Sequence, residues 1–392
     1  MKKILYSILL LSVFQTAPAQ DRIGSLLQQI EQNSTTLKTL LEQKEARMYG
    51  NRTGLTPSNP EVEFTHLWGN EHTGGNSKEV GVTQALDFPT VYSSRTRIAR
   101  LQNHGEEQTY AMERLNLLLA AKTICLEMTY YNAMALVYER QVGNARQIAR
   151  TYERLKEHGD GNLIEYNKAA LNLANIDNLC KQNRIERERL HAELVRMNGG
   201  KEIDFEETEF EEVLVPEDFE TWYQNVETAF PSMKLLKNRI EVAREEIKLS
   251  RAENFPKIQL GYRGEMAGGE QFHGLSIGIS IPLWENRNRT SQAKAASVAA
   301  QYEMTDAGVF FYNQLKYLFD KANSLKENVS RYEVVIRNCN NDELLFKAYD
   351  SGEMSLLDYL LEMQYYFDTW TQYLSAKRDL SVCIAQMNAI YL

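Results

Sequence analysis

The stretch from residue 275 to residue 289 reads LSIGISIPLWENRNR, and it alternates strictly until a proline ends the pattern. The apolar members of the alternation are Leu275, Ile277, Ile279 and Ile281. Only serine and glycine stand between them. This period of two predicts a β-strand with one apolar face and one nearly bare face. Pro282 has a fixed φ and no N–H to donate, so it predicts the end of the strand.

A weaker copy of this stretch, VTQALDFPTVYSSRT, begins at residue 82. Pro282 lies 193 residues after Pro89, and Gly352 of GEMSLLDY lies 193 residues after Gly159 of GDGNLIEY. Upstream, FPKIQL (255–260) follows NPEVEF (59–64) at an offset of 196 residues. A nearly constant offset over so long a stretch predicts two copies of one unit. Each unit reads helix, strand, loop, strand, proline, long helix, turn and helix.

The strand pairs predict two β-hairpins with the same two-faced pattern. Val62 and Phe64 alternate with glutamates in the first copy, as Ile258 and Leu260 alternate with polar residues in the second. Strands of about ten residues are long enough to cross a bilayer at the tilt of a membrane barrel. Alternation alone favours the other interpretation, hairpins half-buried on a soluble core.

Long helices follow the prolines. No proline interrupts residues 93–155, and the apolar residues there recur every seven positions. One predicted core position holds Ala121, Met128, Ala135, Val142 and Ala149. The other holds Leu117, Ile124, Tyr131, Tyr138, Ala145 and Tyr152. In the second copy Leu315, Ala322, Val329 and Ile336 pair with Leu318, Leu325, Tyr332, Cys339 and Phe346. Such heptads predict coiled-coil packing, and about sixty helical residues would extend about 90 Å.

The first twenty residues predict export. Lys2 and Lys3 precede an apolar run of about eleven residues, and Ala17-Pro18-Ala19 supplies small residues for a cut before Gln20. The formal net charge of −9 provides no basic stripe to neutralise phosphates, so the sequence disfavours nucleic acid and predicts that it is not a partner. The cysteines at 125, 180, 339 and 383 fall within helical patterns, so buried thiols are favoured over disulfides.

Four amphipathic strands are too few to enclose a membrane barrel, because bilayer barrels contain at least eight. An open sheet edge in lipid would leave backbone groups unpaired at several kcal/mol each. If the strands span a bilayer, several chains must therefore share one barrel. The strand-to-helix prolines Pro60, Pro89, Pro256 and Pro282 would then mark where the backbone is redirected at the strand ends.

The sequence resembles the TolC-like outer-membrane efflux channels from about residue 21 to its end. The resemblance is carried by NPEVEF with GVTQALDFP, by FPKIQL with GLSIGISIPLW, and by the paired turns GDGNLIEYNKA and AYDSGEMSLLDYLLEMQ. It implies a homotrimer in the outer membrane of a Gram-negative-type bacterium, with four strands per protomer in one barrel and a periplasmic helical tunnel. It also implies a periplasmic adaptor and an inner-membrane transporter of the RND type as partners, with outer-membrane lipid around the barrel. The channel would be a passive exit duct.

These patterns together predict a mainly α chain with a pair of β-hairpins. The predicted segments are a signal peptide (1–19), a helix (20–58), a membrane hairpin (59–91), a helical hairpin (92–197), a linker (198–218), a second helix (219–254), a second membrane hairpin (255–284) and a second helical hairpin (285–392). The helical hairpins are predicted to lie in the periplasm.

The resemblance assigns roles to the turns of the helical hairpins. Gly159, Gly161 and Gly352 mark the tips, which would contact the adaptor. Asp358 and Glu165 are the carboxylates placed to ring a periplasmic aperture, where six acids in a trimer would favour cations. The alternative is that each acid is a solvated residue early in its helix, where negative charge suits the helix dipole.

Aromatic residues cluster at the strand ends and predict interfacial girdles. They are Phe64, Trp68, Phe88, Tyr92, Phe255, Tyr262, Phe272 and Trp284. The alternative is that some belong to an ordinary core.

No nucleotide-binding, hydrolase or metalloprotease motif occurs, so the sequence predicts a protein that is not an enzyme and has no catalytic residues, cofactor or metal. The main rival to a channel is a periplasmic coiled-coil scaffold or adaptor with soluble hairpins. Such an adaptor would usually have one helical hairpin and no duplication.

Overall fold

A computed structural model describes residues 22–70, 75–159, 161–212, 214–339 and 342–392. The predicted signal peptide lies outside these residues. Elements of the first repeat are α1 (Arg22–Asn33), α2 (Thr35–Gly50), β1 (Glu61–Leu67), β2 (Ser77–Leu86), α3 (Pro89–His158) and α4 (Leu163–Met197). Those of the second are α5 (Phe219–Ala229), α6 (Pro231–Ala252), β3 (Lys257–Ala267), β4 (Glu270–Ser280), α7 (Arg289–Asn338), α8 (Asp342–Asp350) and α9 (Leu356–Met387). The predicted mainly α fold with two hairpins and a two-fold repeat is confirmed.

The helix before each hairpin is broken in two, although the sequence pattern predicted one helix in each place, at 20–58 and 219–254. Between α1 and α2, the buried Ser34 caps the new helix by accepting the Leu37 N–H at 3.4 Å. Between α5 and α6, Pro231 occupies the first helical position after an extended Phe230. A serine cap and the restriction that proline places on its preceding residue explain the two breaks.

Helix α3 contains 70 residues and is therefore about 105 Å long. It packs along α4, α6 and α9. The buried residues at the first predicted core position are Ala121, Met128 and Val142. At the second predicted core position, the buried residues over two heptads lie one residue later than predicted, at Leu118, Cys125 and Asn132. With neighbours on several sides, α3 has no single two-helix seam.

The second long helix is interrupted, which the heptad pattern did not predict. Helix α7 ends at Asn338 and α8 begins at Asp342. The last residue of α7 is an asparagine, whose side chain competes for backbone hydrogen bonds and therefore favours a helix end. Cys339 is exposed at this break, so its predicted place in the core is wrong.

All four cysteines are free thiols. Cys125 and Cys383 are buried, as the helical pattern predicted, and Cys180 is half-buried. Burial raises the pKa of the Cys125 thiol to about 12, which keeps it protonated and unreactive near neutral pH.

The four strands form one antiparallel sheet in the order β1-β2-β3-β4. Pairing of β2 with β3 joins the two repeats, with Val82 opposite Tyr262. Residues 201–212 and 214–217 form no helix or strand, yet Ile203 and Phe205 are buried against α1, α3 and α4. Within the residues described, no helix has the length and apolar character needed to cross a membrane.

Candidate functional site

The sheet has two chemically different faces. Paired residues in adjacent strands share a face, so the register assigns each side chain. One face, called here the apolar face, carries Val62, Phe64, Val80, Val82, Leu86, Ile258, Leu260, Tyr262, Leu275, Ile277 and Ile279. Leu275 is 86% exposed and Ile277 75% exposed. An apolar surface of this extent left bare in a single chain indicates that another apolar phase or another molecule covers it.

The opposite face, called here the polar face, carries small and charged residues. Arg263 Nε lies 2.6 Å from Glu79 Oε1, and Ser77 Oγ donates to Glu265 at 3.3 Å. A side chain at Gly261 would collide with Ser276 Oγ of the next strand. This face therefore suits contact with water.

The edges of the sheet are open. Strand β1 pairs only with β2, and β4 only with β3, among the residues that the structure describes. The outer N–H and C=O groups of both edge strands lack strand partners, and such edges normally pair with further strands. The sheet is thus an open segment with one apolar face and one polar face.

The predicted prolines lie at strand ends, but they do not act alike. Pro60 and Pro256 immediately precede β1 and β3, and Pro89 is the first residue of α3. Pro282 is followed by turns through Asn288, whose φ is 67°, before α7 begins. The predicted strand-to-helix role is therefore wrong for Pro60 and Pro256, which lead into strands. Pro282 does not make the same turn as Pro89, because α7 begins seven residues after Pro282 whereas α3 begins at Pro89 itself.

A charged cluster that sequence reasoning missed joins the two repeats between sheet and helices. Arg95 of α3 lies 2.9 Å from Asp87 and 3.6 Å from Glu253, measured between nitrogen and oxygen. Arg289 of α7 contacts the other oxygen of Glu253 at 2.8 Å. Asp87 and Arg95 are close in sequence, but Glu253 lies 158 residues after Arg95, and only their places at strand and helix ends could have linked them.

The tip glycines are explained by backbone geometry. Gly159 and Gly352 both have a φ of 80°, a left-handed conformation that ends the preceding helix. Their N–H groups donate to the carbonyls of Lys156 and Tyr349 at 3.2 and 3.0 Å. Gly161 has no room for a side chain, because a Cβ would lie 2.7 Å from the Lys156 nitrogen.

The two predicted aperture acids both lie in the first turn of a helix. The exposed Asp358 donates its N–H to Ser355 Oγ at 3.2 Å, and that hydroxyl donates to Asp358 Oδ2 at 2.6 Å. Glu165 follows the cap Asn162, which accepts the Ile164 N–H at 2.9 Å. Each acid therefore has a local role at a helix N-terminus.

Aromatic packing brings the two helical hairpins together near their tips. Tyr349 and Tyr359 of the second hairpin lie 5.1 Å apart between ring centres, against Ile148 of the first. Burial raises the pKa of Tyr359 to about 12. The pKa of Tyr349 is raised by burial, by a hydrogen bond with Tyr152 and by the charge of Glu165. The acid of one tip thus lies near the other hairpin.

A second link between the hairpins was not foreseen. Arg140 Nη1 of α3 donates to Asp342 Oδ2 of α8 at 2.8 Å. The Asp342 side chain is 7% exposed and that of Arg140 is 66% exposed. The break before α8 positions this acid, so a continuous-helix prediction could not have found the pair.

The predicted girdle aromatics occupy different environments. Phe88 and Phe255 stack at 4.8 Å beside the helical end of the sheet, where the Tyr92 hydroxyl accepts the Asp87 N–H at 2.9 Å. Trp68 and Trp284 are exposed outside the strands. Phe64 and Tyr262 lie on the apolar face.

Phe272 departs from this set. It pairs with Glu265 and therefore lies on the polar face of the sheet. A girdle residue must contact lipid, so the register argues against that role for Phe272. Its neighbour His273 lies on the apolar face and contacts the Tyr262 hydroxyl at 3.0 Å.

No protein-family profile matches the sequence, and no curated protein matches it either. Solved structures do. The outer membrane channel CmeC of Campylobacter jejuni is 15% identical, with a TM-score of 0.76 over 95% of this chain and 85% of that one. A membrane protein from Pseudomonas aeruginosa is 16% identical, with a TM-score of 0.76 over 94% and 93%. CusC, whose structures concern transmembrane channel formation, is 16% identical, with a TM-score of 0.73 over 97% and 95%.

The similarity covers nearly the whole of each chain, including both helical hairpins and the sheet. It confirms, at the level of the fold, the resemblance carried by the strand and turn motifs. The chain has the fold of the TolC-like outer-membrane channels.

Proposed function

We propose that this protein is an outer-membrane channel that serves as the passive exit duct of an efflux system. The observation that carries the proposal is the sheet, which has a bare apolar face, a polar face and two open edges, and which adjoins long helices of which α3 extends about 105 Å. Its full-length similarity to outer membrane channels supports the same function. We infer no enzymatic activity.

We propose that three copies form the channel. Four strands cannot enclose a barrel, whereas three copies would supply twelve and pair every open edge. The apolar face would then contact outer-membrane lipid, and the polar face would line the lumen. Phe64, Trp68, Tyr262 and Trp284 are the aromatics placed to contribute to a girdle.

In this arrangement the helices would extend through the periplasm. The tips at Gly159, Gly161 and Gly352 would contact a periplasmic adaptor that links the channel to an inner-membrane transporter of the RND type. Glu165 and Asp358 would lie around the aperture at that end. The closeness of the two hairpin tips supports a shared aperture.

A pair of arginine substitutions tests the membrane assignment. Ile277→Arg places a charge on the apolar face, where it should destabilise the inserted barrel by about 2–4 kcal/mol near the bilayer midplane. Gln259→Arg places the same charge on the polar face, where water would solvate it. We expect Ile277→Arg to be lost from the outer-membrane fraction and Gln259→Arg to remain there.

The wild-type chain provides the decisive control. Release of wild-type protein by osmotic shock, without detergent and as a monomer, would contradict the channel and favour a soluble periplasmic scaffold. Equal membrane levels of the two variants would contradict the assignment of the faces.

A further inference from the structure

A cavity of about 460 Å³ lies between α3 and α9, where linker residues 208–210 cover one side. Its α3 residues begin near position 133, which is about 65 Å along the helix from Pro89. The cavity is therefore remote from the sheet. None of the roles proposed above involves it.

The walls of the cavity are rich in aromatic side chains. Helix α9 contributes four aromatic residues, Tyr366, Phe367, Trp370 and Tyr373, together with Met363. Trp370 lies edge-on to Tyr373, with ring centres 5.7 Å apart, and it is also edge-on to Tyr366 at 6.3 Å. Aromatic walls of this kind bind flat ring systems through offset and edge-to-face contacts.

The Gln141 amide is a buried donor in the lining. Gln141 is only 5% exposed, and its Nε2 has no hydrogen-bond partner among the residues that the structure describes. The side chain lines both this cavity and an adjoining one of about 570 Å³. Because a buried donor without a partner is costly, an acceptor oxygen placed in the cavity would be stabilised by it.

Among the residues that the structure describes, both cations that line the cavity are paired. Arg140 is paired with Asp342 at 2.8 Å, and Lys377 with Glu333 at 3.1 Å. Glu209 is the remaining acid of the lining and is exposed to solvent. An anionic ligand would therefore have to displace an existing ion pair, which favours an uncharged ligand.

We propose that this cavity is a binding site for an uncharged aromatic molecule whose acceptor oxygen receives a hydrogen bond from the Gln141 amide. The volume is within the range of small-molecule sites. The proposal does not depend on the channel function, because it rests on one chain.

Benzophenone is a suitable probe because it combines two aromatic rings with one ketone oxygen and carries no charge. The full chain is purified in a mild detergent, illuminated with the probe over a range of probe concentrations and digested, and adducts are located and quantified by mass spectrometry. We expect adducts to concentrate on peptides that contain Met363 or Leu374 of the cavity wall.

Gln141→Leu removes the donor while keeping the volume, and it leaves no buried amide unsatisfied, so the fold should tolerate it. Losing one hydrogen bond at a buried site should weaken binding about tenfold. The matched control is Gln147→Leu, at an exposed position on the same helix, whose adduct yield should depend on probe concentration as that of the wild type does.

A second pair of variants tests occupancy by size. Leu136→Trp enlarges an exposed side chain of the lining and should abolish the cavity adducts, whereas Leu171→Trp enlarges an exposed leucine of α4 outside it. The proposal would be overturned if adducts were spread over the surface, or if Gln141→Leu and Leu136→Trp left the cavity adducts unchanged. The Gln141 amide would then be hydrated by water and bind no ligand.

Discussion

Glycines on the helical hairpins differ in what their backbones require. Gly352 has a φ of 80°, which an L-residue adopts only under strain, whereas Gly143 lies within α3 with no atom near its absent Cβ. The repeat offset identified Gly352 as a tip before any backbone angle was known. The offset could not show why each glycine is needed. Gly352 is needed for its left-handed backbone conformation, whereas Gly161 is needed because a Cβ would collide with the Lys156 backbone.

Gly352→Ala should therefore destabilise the second tip by about 1–2 kcal/mol, because the left-handed conformation is strained for alanine. Gly143→Ala should stabilise the chain by about 0.5–1 kcal/mol through helix propensity. Thermal unfolding and limited proteolysis at the tips would measure both. A change of the same sign in the stability of both variants would contradict this explanation.

Asp358 combines a capping role with the proposed aperture role, and substitution can separate the two. Asp358→Asn removes the charge but keeps a side-chain oxygen that can accept from the Ser355 hydroxyl, and it keeps the backbone N–H that donates to Ser355 Oγ. We expect higher single-channel conductance or leakiness in planar bilayers, with thermal stability little changed. The control is Asp368→Asn, an exposed acid further along α9. Unchanged conductance in Asp358→Asn would contradict the aperture role.

At the scale of elements, periodicity predicted what depends on local pattern. Strand alternation located both hairpins, and Pro89 located the start of α3, because these features follow from one residue or its neighbours. The break at Cys339 was missed because the heptad pattern continues across it. The shift of the core stripe to Leu118 and Cys125 was not predictable, because it depends on α4, α6 and α9 packing around α3, and no short window of sequence contains those partners.

The Arg140–Asp342 pair is the polar link that a double-mutant cycle can measure. Because the arginine is mostly exposed, the coupling energy between Arg140→Ala and Asp342→Asn should be about 1 kcal/mol rather than the larger value of a buried pair. Arg140→Ala alone should cost more, since it leaves the buried carboxylate unpaired. Chemical unfolding of the two single variants and the double variant gives the coupling. Strict additivity would show that the pair contributes no coupling.

At the scale of the whole molecule, the open edges make a prediction about assembly. In a ring of copies, β1 of one chain would lie beside β4 of the next, while β2 and β3 stay within a chain. Thr65→Cys with Ser276→Cys places thiols on the two edge strands, and Thr83→Cys with Gln259→Cys places them on the inner strands. Cys339 and Cys180 are first replaced by serine, because the other two thiols are buried.

A flexible bis-maleimide should link the edge-strand thiols into a series of one, two and three chains. The inner-strand pair should give only links within one chain. Gel electrophoresis in denaturant would show the series directly. A ring of three copies would be contradicted by products that contain more than three chains. It would also be contradicted if only single chains were found.

The pairing of β2 with β3 also constrains how the chain reaches this structure. Val82 faces Tyr262, 180 residues further along, so the central ladder has high contact order and closes late and slowly. Until the second repeat arrives, the first hairpin is a two-stranded ribbon that is marginally stable on its own and exposes an apolar side. An intermediate of this kind is prone to aggregation, and its survival would depend on chaperone binding during the interval between the two hairpins.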